Sequence, residues 1–274
     1  MTPTVAVQAT GAPTVPLALR ADNLTVRFGG LVAVNNVSFD IPTGSVVSLI
    51  GPNGAGKTTF FNALTGLYEL AAGQVLLGQR NITGLPPHTI ASIGVARTFQ
   101  NIRLFGLMTA EENVKVAMHS HLKSGIVRTV LRTPGQRREE RRAHDTALEL
   151  LDYVGIGASA GEYARNLSYG DQRRLEVARA LGLNPTVLLL DEPTAGMNPR
   201  ESAEFTEFVR RLQRDRNVSV LLIEHDMSVV MRVSDRITVL DRGEKIAEGG
   251  PDDIKNNERV VEAYLGRTGT EASA

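Results

Sequence analysis

Apolar positions along the chain fall into two kinds of run. Residues 45–50, 186–190, 218–223 and 237–240 are short and rich in Val, Leu and Ile. The later three read as strands buried on both faces. Between them, residues 58–64, 143–154, 170–183, 201–214 and 228–233 read as helices, several with apolar side chains at helical spacing. Strands that alternate with helices predict an α/β fold with a parallel sheet and crossover connections. Residues 24–28, 37–41 and 75–77 predict a smaller β layer ahead of that core. Residues 108–116 read as a helix start, with Thr109-Ala110-Glu111-Glu112 bringing acidic side chains into the first turn. Residues 244–249 predict an edge strand or turn, and 251–265 a last helix. The pattern holds no internal repeat.

The bulk numbers narrow the partners. The 274 residues carry 30 basic and 30 acidic side chains and no cysteine. Balanced charge gives no support for nucleic-acid binding. Disulfides and thiolate metal sites are excluded, which is compatible with a reducing compartment. No apolar run approaches the ~20 residues of a membrane-spanning helix. Residues 1–19 lack a basic segment followed by a sustained apolar stretch, so they do not read as a secretory signal. Loose tails are expected at 1–18 and 268–274, around one domain at 19–267. Residues 120–142 are polar and basic and end in Arg137-Arg138-Glu139-Glu140-Arg141-Arg142. That run reads as a solvated helix face with i,i+4 pairs; a docking surface is the lesser reading.

Chemistry enters at Gly51-Pro52-Asn53-Gly54-Ala55-Gly56-Lys57-Thr58-Thr59, between a predicted strand and a predicted helix. Glycines that tolerate positive φ let consecutive backbone N–H groups wrap a polyphosphate. Lys57 supplies a compact cation for the outer phosphates, and the Thr58 hydroxyl can bind Mg²⁺. The helix from about Gly56 adds its positive dipole end.

A second site is predicted where strand 186–190 runs into Asp191-Glu192. Open α/β sheets bind ligands at the carboxyl ends of their strands. Asp191 is therefore placed to hold Mg²⁺ near Thr58. Glu192 is placed to face a water aimed at the γ-phosphate, as general base or water orienter. His225, in Glu224-His225-Asp226 after strand 218–223, can reach the same phosphate. Gln100, after Arg97-Thr98-Phe99, carries an amide able to bind metal or water. Taken alone, His225 reads as a cap and Gln100 as an ordinary loop residue.

The phosphate loop, Gln100, Leu167-Ser168-Tyr169-Gly170-Asp171-Gln172-Arg173-Arg174, Asp191-Glu192 and His225 stand in the order and approximate spacing of the ATPase subunits of ABC transporters. The resemblance covers about residues 19–267. It implies a P-loop NTPase core with an antiparallel β layer and a helical signature subdomain at about 101–183. Finer segments are similar to the branched-chain amino-acid importers. They are residues 94–105 with Met108-Thr109 and Glu112-Asn113-Val114, the 120–142 insertion, Ala195-Gly196-Met197-Asn198-Pro199 and Val261-Glu262-Ala263-Tyr264-Leu265-Gly266. Branches that move urea, short amides or lipopolysaccharide share the core motifs.

The resemblance further implies ATP with Mg²⁺, held between the phosphate loop of one subunit and Ser168 and Gly170 of the other. It implies catalytic roles for Glu192, His225 and Gln100, metal contacts from Thr58, Gln100 and Asp191, and adenine stacking on Phe28. Implied partners are a second ATPase chain, identical or related, two membrane permeases and, indirectly, a periplasmic binding protein. The implied location is the cytoplasmic face of the inner membrane. The apolar segment 101–108 would receive a coupling helix from a permease. A soluble ABC ATPase acting on nucleic acid or ribosomes usually carries two ATPase units or a long coiled insertion, and a kinase would need neither the signature segment nor His225. Two positions depart from the common family pattern: Tyr169 replaces glycine and Asp171 replaces glutamine. Asp171 is expected to point away from a bound triphosphate, capping its helix or meeting an arginine such as Arg174.

Overall fold

The computed structural model describes residues 16–118 and 134–265. The expected tail segments 1–15 and 268–274 and residues 120–133 of the insertion lie outside the described residues. Two sheets carry the domain. The smaller is antiparallel, in the order β2 (Leu31–Pro42), β1 (Leu17–Phe28), β4 (Ala72–Leu77), β5 (Arg80–Asn81). The larger runs β10 (Glu244–Gly249), β9 (Arg236–Asp241), β3 (Val46–Ile50), β8 (Ser219–Ile223), β7 (Val187–Asp191), β6 (Val95–Arg97). Its strands are parallel except for β10, which pairs antiparallel to β9 at the edge.

Strands β3, β7 and β8 are buried at every residue, which is why their sequences run apolar without alternation. Their side chains still alternate between two cores. Leu188, Leu190, Val220 and Leu222 face a cluster with α3 (Ala110–Met118), α4 (Pro134–Tyr153), α5 (Tyr169–Leu181) and α6 (Pro199–Arg216). Val187, Leu189, Leu221 and Ile223 face the opposite cluster, with α1 (Lys57–Leu64) and the antiparallel sheet. There the ring of Phe60 meets Phe39 edge-on at 5.5 Å, joining α1 to β2. A third, smaller cluster sets Ile50, Ile237 and Val239 against α7 (Met227–Val233), α8 (Pro251–Lys255) and α9 (Glu258–Leu265).

Several boundaries differ from those read in the sequence. The N-terminal tail ends earlier than residue 18, because β1 already pairs Leu17 with Pro42. Helix α4 begins at Pro134 and joins the 137–142 charge run, read as a helix face, to the apolar helix read from Ala143; proline suits a first helical turn. The last helix is two, split at Asn256 and Asn257, with the Asn257 side chain accepting from the Val260 N–H. Helix α2 (Pro87–Ser92) and the three-residue β6 were not anticipated. The first turn of α3 does close as expected: the Thr109 N–H donates to Glu112 and the Glu112 N–H donates to the Thr109 hydroxyl.

Phe60 is fully buried between the two sheets, whereas Phe28 is 46% exposed at the end of β1. Phe60→Ala is expected to cost about 4 kcal/mol and Phe28→Ala about 0.5 kcal/mol. Urea unfolding of the two variants measures the contrast.

Candidate functional site

The loop from Gly51 to Gly56 leaves the carboxyl end of β3 and enters α1. Gly51, Gly54 and Gly56 have φ of +150°, +78° and +96°, so the chain reverses through conformations that side chains rarely adopt. At Gly51 a Cβ would stand 2.1 Å from the Leu240 carbonyl oxygen, so only glycine fits beside β9. Gly56 caps α1 in the left-handed conformation. Lys57 curls back over the loop, donating from Nζ to the carbonyls of Gly51 at 2.7 Å and Pro52 at 3.1 Å. Thr58 is exposed in the first turn of α1.

β7 ends in Asp191, whose side chain is 5% exposed. Burial pushes its carboxyl above the usual range, Arg97 and Lys57 pull the other way, and the Glu192 charge adds to the rise. Glu192 comes next at φ +46°, an unusual conformation for glutamate, while its N–H still donates to the Ile223 carbonyl at 2.9 Å. Such local strain is common where function fixes a side chain. Gln100 Nε2 donates to Glu192 Oε2 at 2.9 Å. His225 Nδ1 stands 3.8 Å from the same oxygen, and the His225 side chain is 65% exposed. The structure therefore brings Gln100, Glu192 and His225 to one point.

Two organisers of this point were missed in the sequence. Glu224 is buried and accepts from the Thr194 N–H, the Thr194 hydroxyl at 2.6 Å and the His225 N–H. It ties the loop after β7 to the one after β8. Arg97 reaches Asp191 from β6. A charged residue flanked by apolar strands is the only sequence signal either one gives.

Thr58, Asp191 and Gln100 offer hydroxyl, carboxylate and amide oxygens, the hard donors that magnesium takes. The Asp191 carboxylate, nearly buried at the end of β7, faces the Arg97 guanidinium at 3.6 Å. No group of three or more His, Asp or Glu that could cage a metal occurs among the described residues. Mg²⁺ commonly takes one or two carboxylates together with phosphates and water.

Ser168 and Gly170 stand at the start of α5, on the helical lobe. The Ser168 hydroxyl donates to Asp171 Oδ2 at 2.7 Å and accepts from the Asp171 N–H at 3.2 Å. Ser168 thus caps the helix and Asp171 supports that cap through its carboxylate; Asp171 does not meet Arg174, which pairs with Glu204 at 3.5 Å. Tyr169 receives a hydrogen bond from Arg173, which also donates to the carbonyls of Phe99 and Gln100. Phe28 is not a core aromatic; it packs edge-on against Tyr68 at 5.1 Å.

Gly51→Ala forces a Cβ into the Leu240 carbonyl. It is expected to weaken ATP affinity by about 10-fold or more, equivalent to at least ~1.4 kcal/mol, with far-UV circular dichroism unchanged. Equilibrium binding of a fluorescent ATP analogue checks this. Asp171→Gln leaves Ser168 in place; stability in urea unfolding is expected to fall by ~1 kcal/mol or less, as for an exposed capping exchange.

The family model described as "ABC transporter" matches residues 34–195, and that described as "Branched-chain amino acid ATP-binding cassette transporter" matches residues 244–269. The chain is 50% identical over 248 residues to the high-affinity branched-chain amino acid transport ATP-binding protein LivG of Salmonella typhimurium, covering 90% of this chain and 97% of that one. Among solved structures, the ADP conformation of an ATP-binding cassette of an ABC transporter is 29% identical, with a TM-score of 0.79 over 91% of this chain and 99% of that one. A dimeric ATP-binding cassette in a post-hydrolysis state, bound to ADP and Pi, is 26% identical, with a TM-score of 0.72 over 85% and 98%. A phosphate loop, two carboxylates at a strand end and a capped signature helix, matched along nearly the whole chain, place this protein in the ATP-binding cassette family of ABC transporters.

Proposed function

We propose that the chain is the ATP-hydrolysing motor subunit of an importer for branched-chain amino acids. The hydrogen bond from Gln100 to Glu192 beside the phosphate loop carries the hydrolytic reading. LivG, and the match at residues 244–269, support the substrate class.

In this reading residues 51–59 hold the triphosphate through backbone N–H groups and Lys57. Thr58, Asp191 and Gln100 hold Mg²⁺, which when bound neutralises phosphate charge. Glu192 orients the attacking water and accepts its proton, and Gln100 fixes the carboxylate oxygen that does so. His225, 3.8 Å from the Glu192 carboxylate, serves the γ-phosphate. Ser168 and Gly170 serve the ATP of the partner subunit, so one chain alone supplies half of each site. Phe28, exposed beside Tyr68, offers its ring to the adenine.

Two permease subunits, fed by a periplasmic binding protein, complete the system, with this chain on the cytoplasmic face. Among the described residues no helix is long and apolar enough to cross a membrane. The docking surface is the loop after Gln100. Phe105, Leu107 and Met108 are exposed there, Leu107 at 73%. Buried Asn113 fixes that loop, accepting from the Phe105 N–H and donating to the carbonyls of Phe105 and Thr109. Leu104 turns inward against the core and is no part of this surface.

Three measurements test the reading. Reconstituted with its neighbouring permeases, the protein is expected to raise ATP turnover when leucine, isoleucine or valine is supplied with the binding protein. Stimulation by urea or amides instead would overturn the substrate class. Glu192→Gln is expected to lower kcat roughly 10²–10⁴-fold while Mg-ATP affinity persists. Phe105→Asp is expected to abolish transport and leave nucleotide affinity within about two-fold; loss of ATP binding would refute the docking role.

A further inference from the structure

Arg97 ends β6 with its side chain 12% exposed, wedged between the phosphate-loop helix and the end of β7. Its guanidinium carbon lies 4.9 Å from the centre of the Phe61 ring and 4.6 Å from that of Phe99. Nη1 donates to Asn62 Oδ1 at 2.9 Å and to Thr65 Oγ1 at 3.0 Å. Nε donates to the Thr98 carbonyl at 3.4 Å. Nη2 stands 3.6 Å from Asp191 Oδ2, an ion pair longer than a hydrogen bond.

Each contact reaches a different part of the site. Phe61, Asn62 and Thr65 belong to α1 and its C-terminal end, and the first turn of that helix carries Lys57 and Thr58. Phe99 adjoins Gln100. Asp191 ends β7. Only a planar, forked cation can lie beside two rings and direct N–H groups into the helix and the strand together. A lysine at this position would keep the charge and lose the plane. The remaining partner, Asp191, is a carboxylate on a residue 4% exposed at the end of a buried strand. Arg97, Arg173 and Lys57 all pull on its charge, and Arg97 pairs with it directly at 3.6 Å.

We infer that Arg97 is a positioning residue for the magnesium end of the site: it holds the Asp191 carboxylate at a fixed place relative to α1, and so sets how strongly magnesium strengthens nucleotide binding. This rests on the reading of Asp191 as the carboxylate that meets Mg²⁺. Arg97 itself touches neither metal nor nucleotide. Its loss affects the magnesium-dependent part of affinity, because the phosphate contacts of residues 51–57 stay where they are.

The test is equilibrium binding of a fluorescent ATP analogue to the full chain, in EDTA and in excess Mg²⁺, with the melting temperature measured on each variant. For Arg97→Met, affinity in EDTA is expected within about two-fold of wild type, while the gain on adding Mg²⁺ falls about 10-fold. Arg97→Lys restores part of that gain. In an Asp191→Asn background, Arg97→Met is expected to have no further effect. A wild-type affinity indifferent to Mg²⁺ overturns the reading of Asp191, and this inference with it. A wild-type response to Mg²⁺ that Arg97→Met leaves intact overturns the Arg97 role alone. An equal loss with and without Mg²⁺, persisting in the Asp191→Asn background and joined to a lower melting temperature, assigns Arg97 to packing and also overturns it.

Discussion

Across the middle of the parallel sheet, Leu49 of β3 stands beside Ile223 of β8, and Ile223 stands beside Asp191 of β7. That register brings three strand ends to one edge within a residue of each other. The chemistry sits just past those ends: the phosphate loop after Ile50, Glu192 after Asp191, and His225 just beyond Ile223. A slip of one residue would turn every side chain of the strand to the other face. Asp191 would leave the cleft, and Leu190 would leave its core. Burial on both faces makes such a slip costly. The apolar runs that give the sheet its core therefore also fix the spacing of the charged groups at its end.

Beyond the register, a few buried polar side chains determine where the loops go. Glu224 binds the Thr194 turn and the backbone of His225. Asn113 holds the Phe105 loop from inside the helical lobe. Arg173, 3% exposed, joins the start of α5 to the carbonyls on either side of the Gln100 peptide and pairs with Glu176 at 3.1 Å. Burial drives the Glu176 carboxyl up, and the Arg103 N–H and the Arg173 charge oppose that rise. A buried pair of this kind adds little net stability, because desolvation offsets the attraction; removing one partner is what costs. Its structural consequence is geometric. The signature helix and the Gln100 loop cannot shift separately without stranding a buried charge.

Local chemistry was legible in the sequence, and long-range contact was not. The phosphate loop, Asp191-Glu192 and the Thr109–Glu112 box are each written within nine residues, and their residue types leave few alternatives. The strands of the core were legible because burial on both faces leaves them almost wholly apolar, with small hydroxyls such as Ser48 and Ser219 the exceptions. Strand β6 has three residues and was invisible, since its partner β7 lies some ninety positions away and three residues carry no period. Glu224 and Arg97 look like ordinary charges; their roles depend on Thr194 and Asp191, which the fold alone brings near. The Leu104–Phe105 pair shows the same limit. Both are apolar and adjacent, yet one turns into the core and the other stays exposed.

The departure at Asp171 turns on which of two electrostatic effects is larger. A carboxylate in the first turn of α5 gains about 0.3–1 kcal/mol from the helix dipole. Facing a triphosphate ~8 Å away, it would meet repulsion of order 2 kcal/mol for each pair of unit charges at an effective dielectric near 20. On those magnitudes a carboxylate aimed outward would weaken the half-site that α5 offers to a partner. The observed geometry avoids this: Asp171 accepts the Ser168 hydroxyl at 2.7 Å and returns its own N–H to the same oxygen. The acid therefore directs its charge into its own cap. The serine proton is engaged there as well, and Gly170 leaves the first turn of the helix uncovered by any side chain. An acid can therefore stand where the common pattern has an amide while its carboxylate stays bound within the first turn of its own helix.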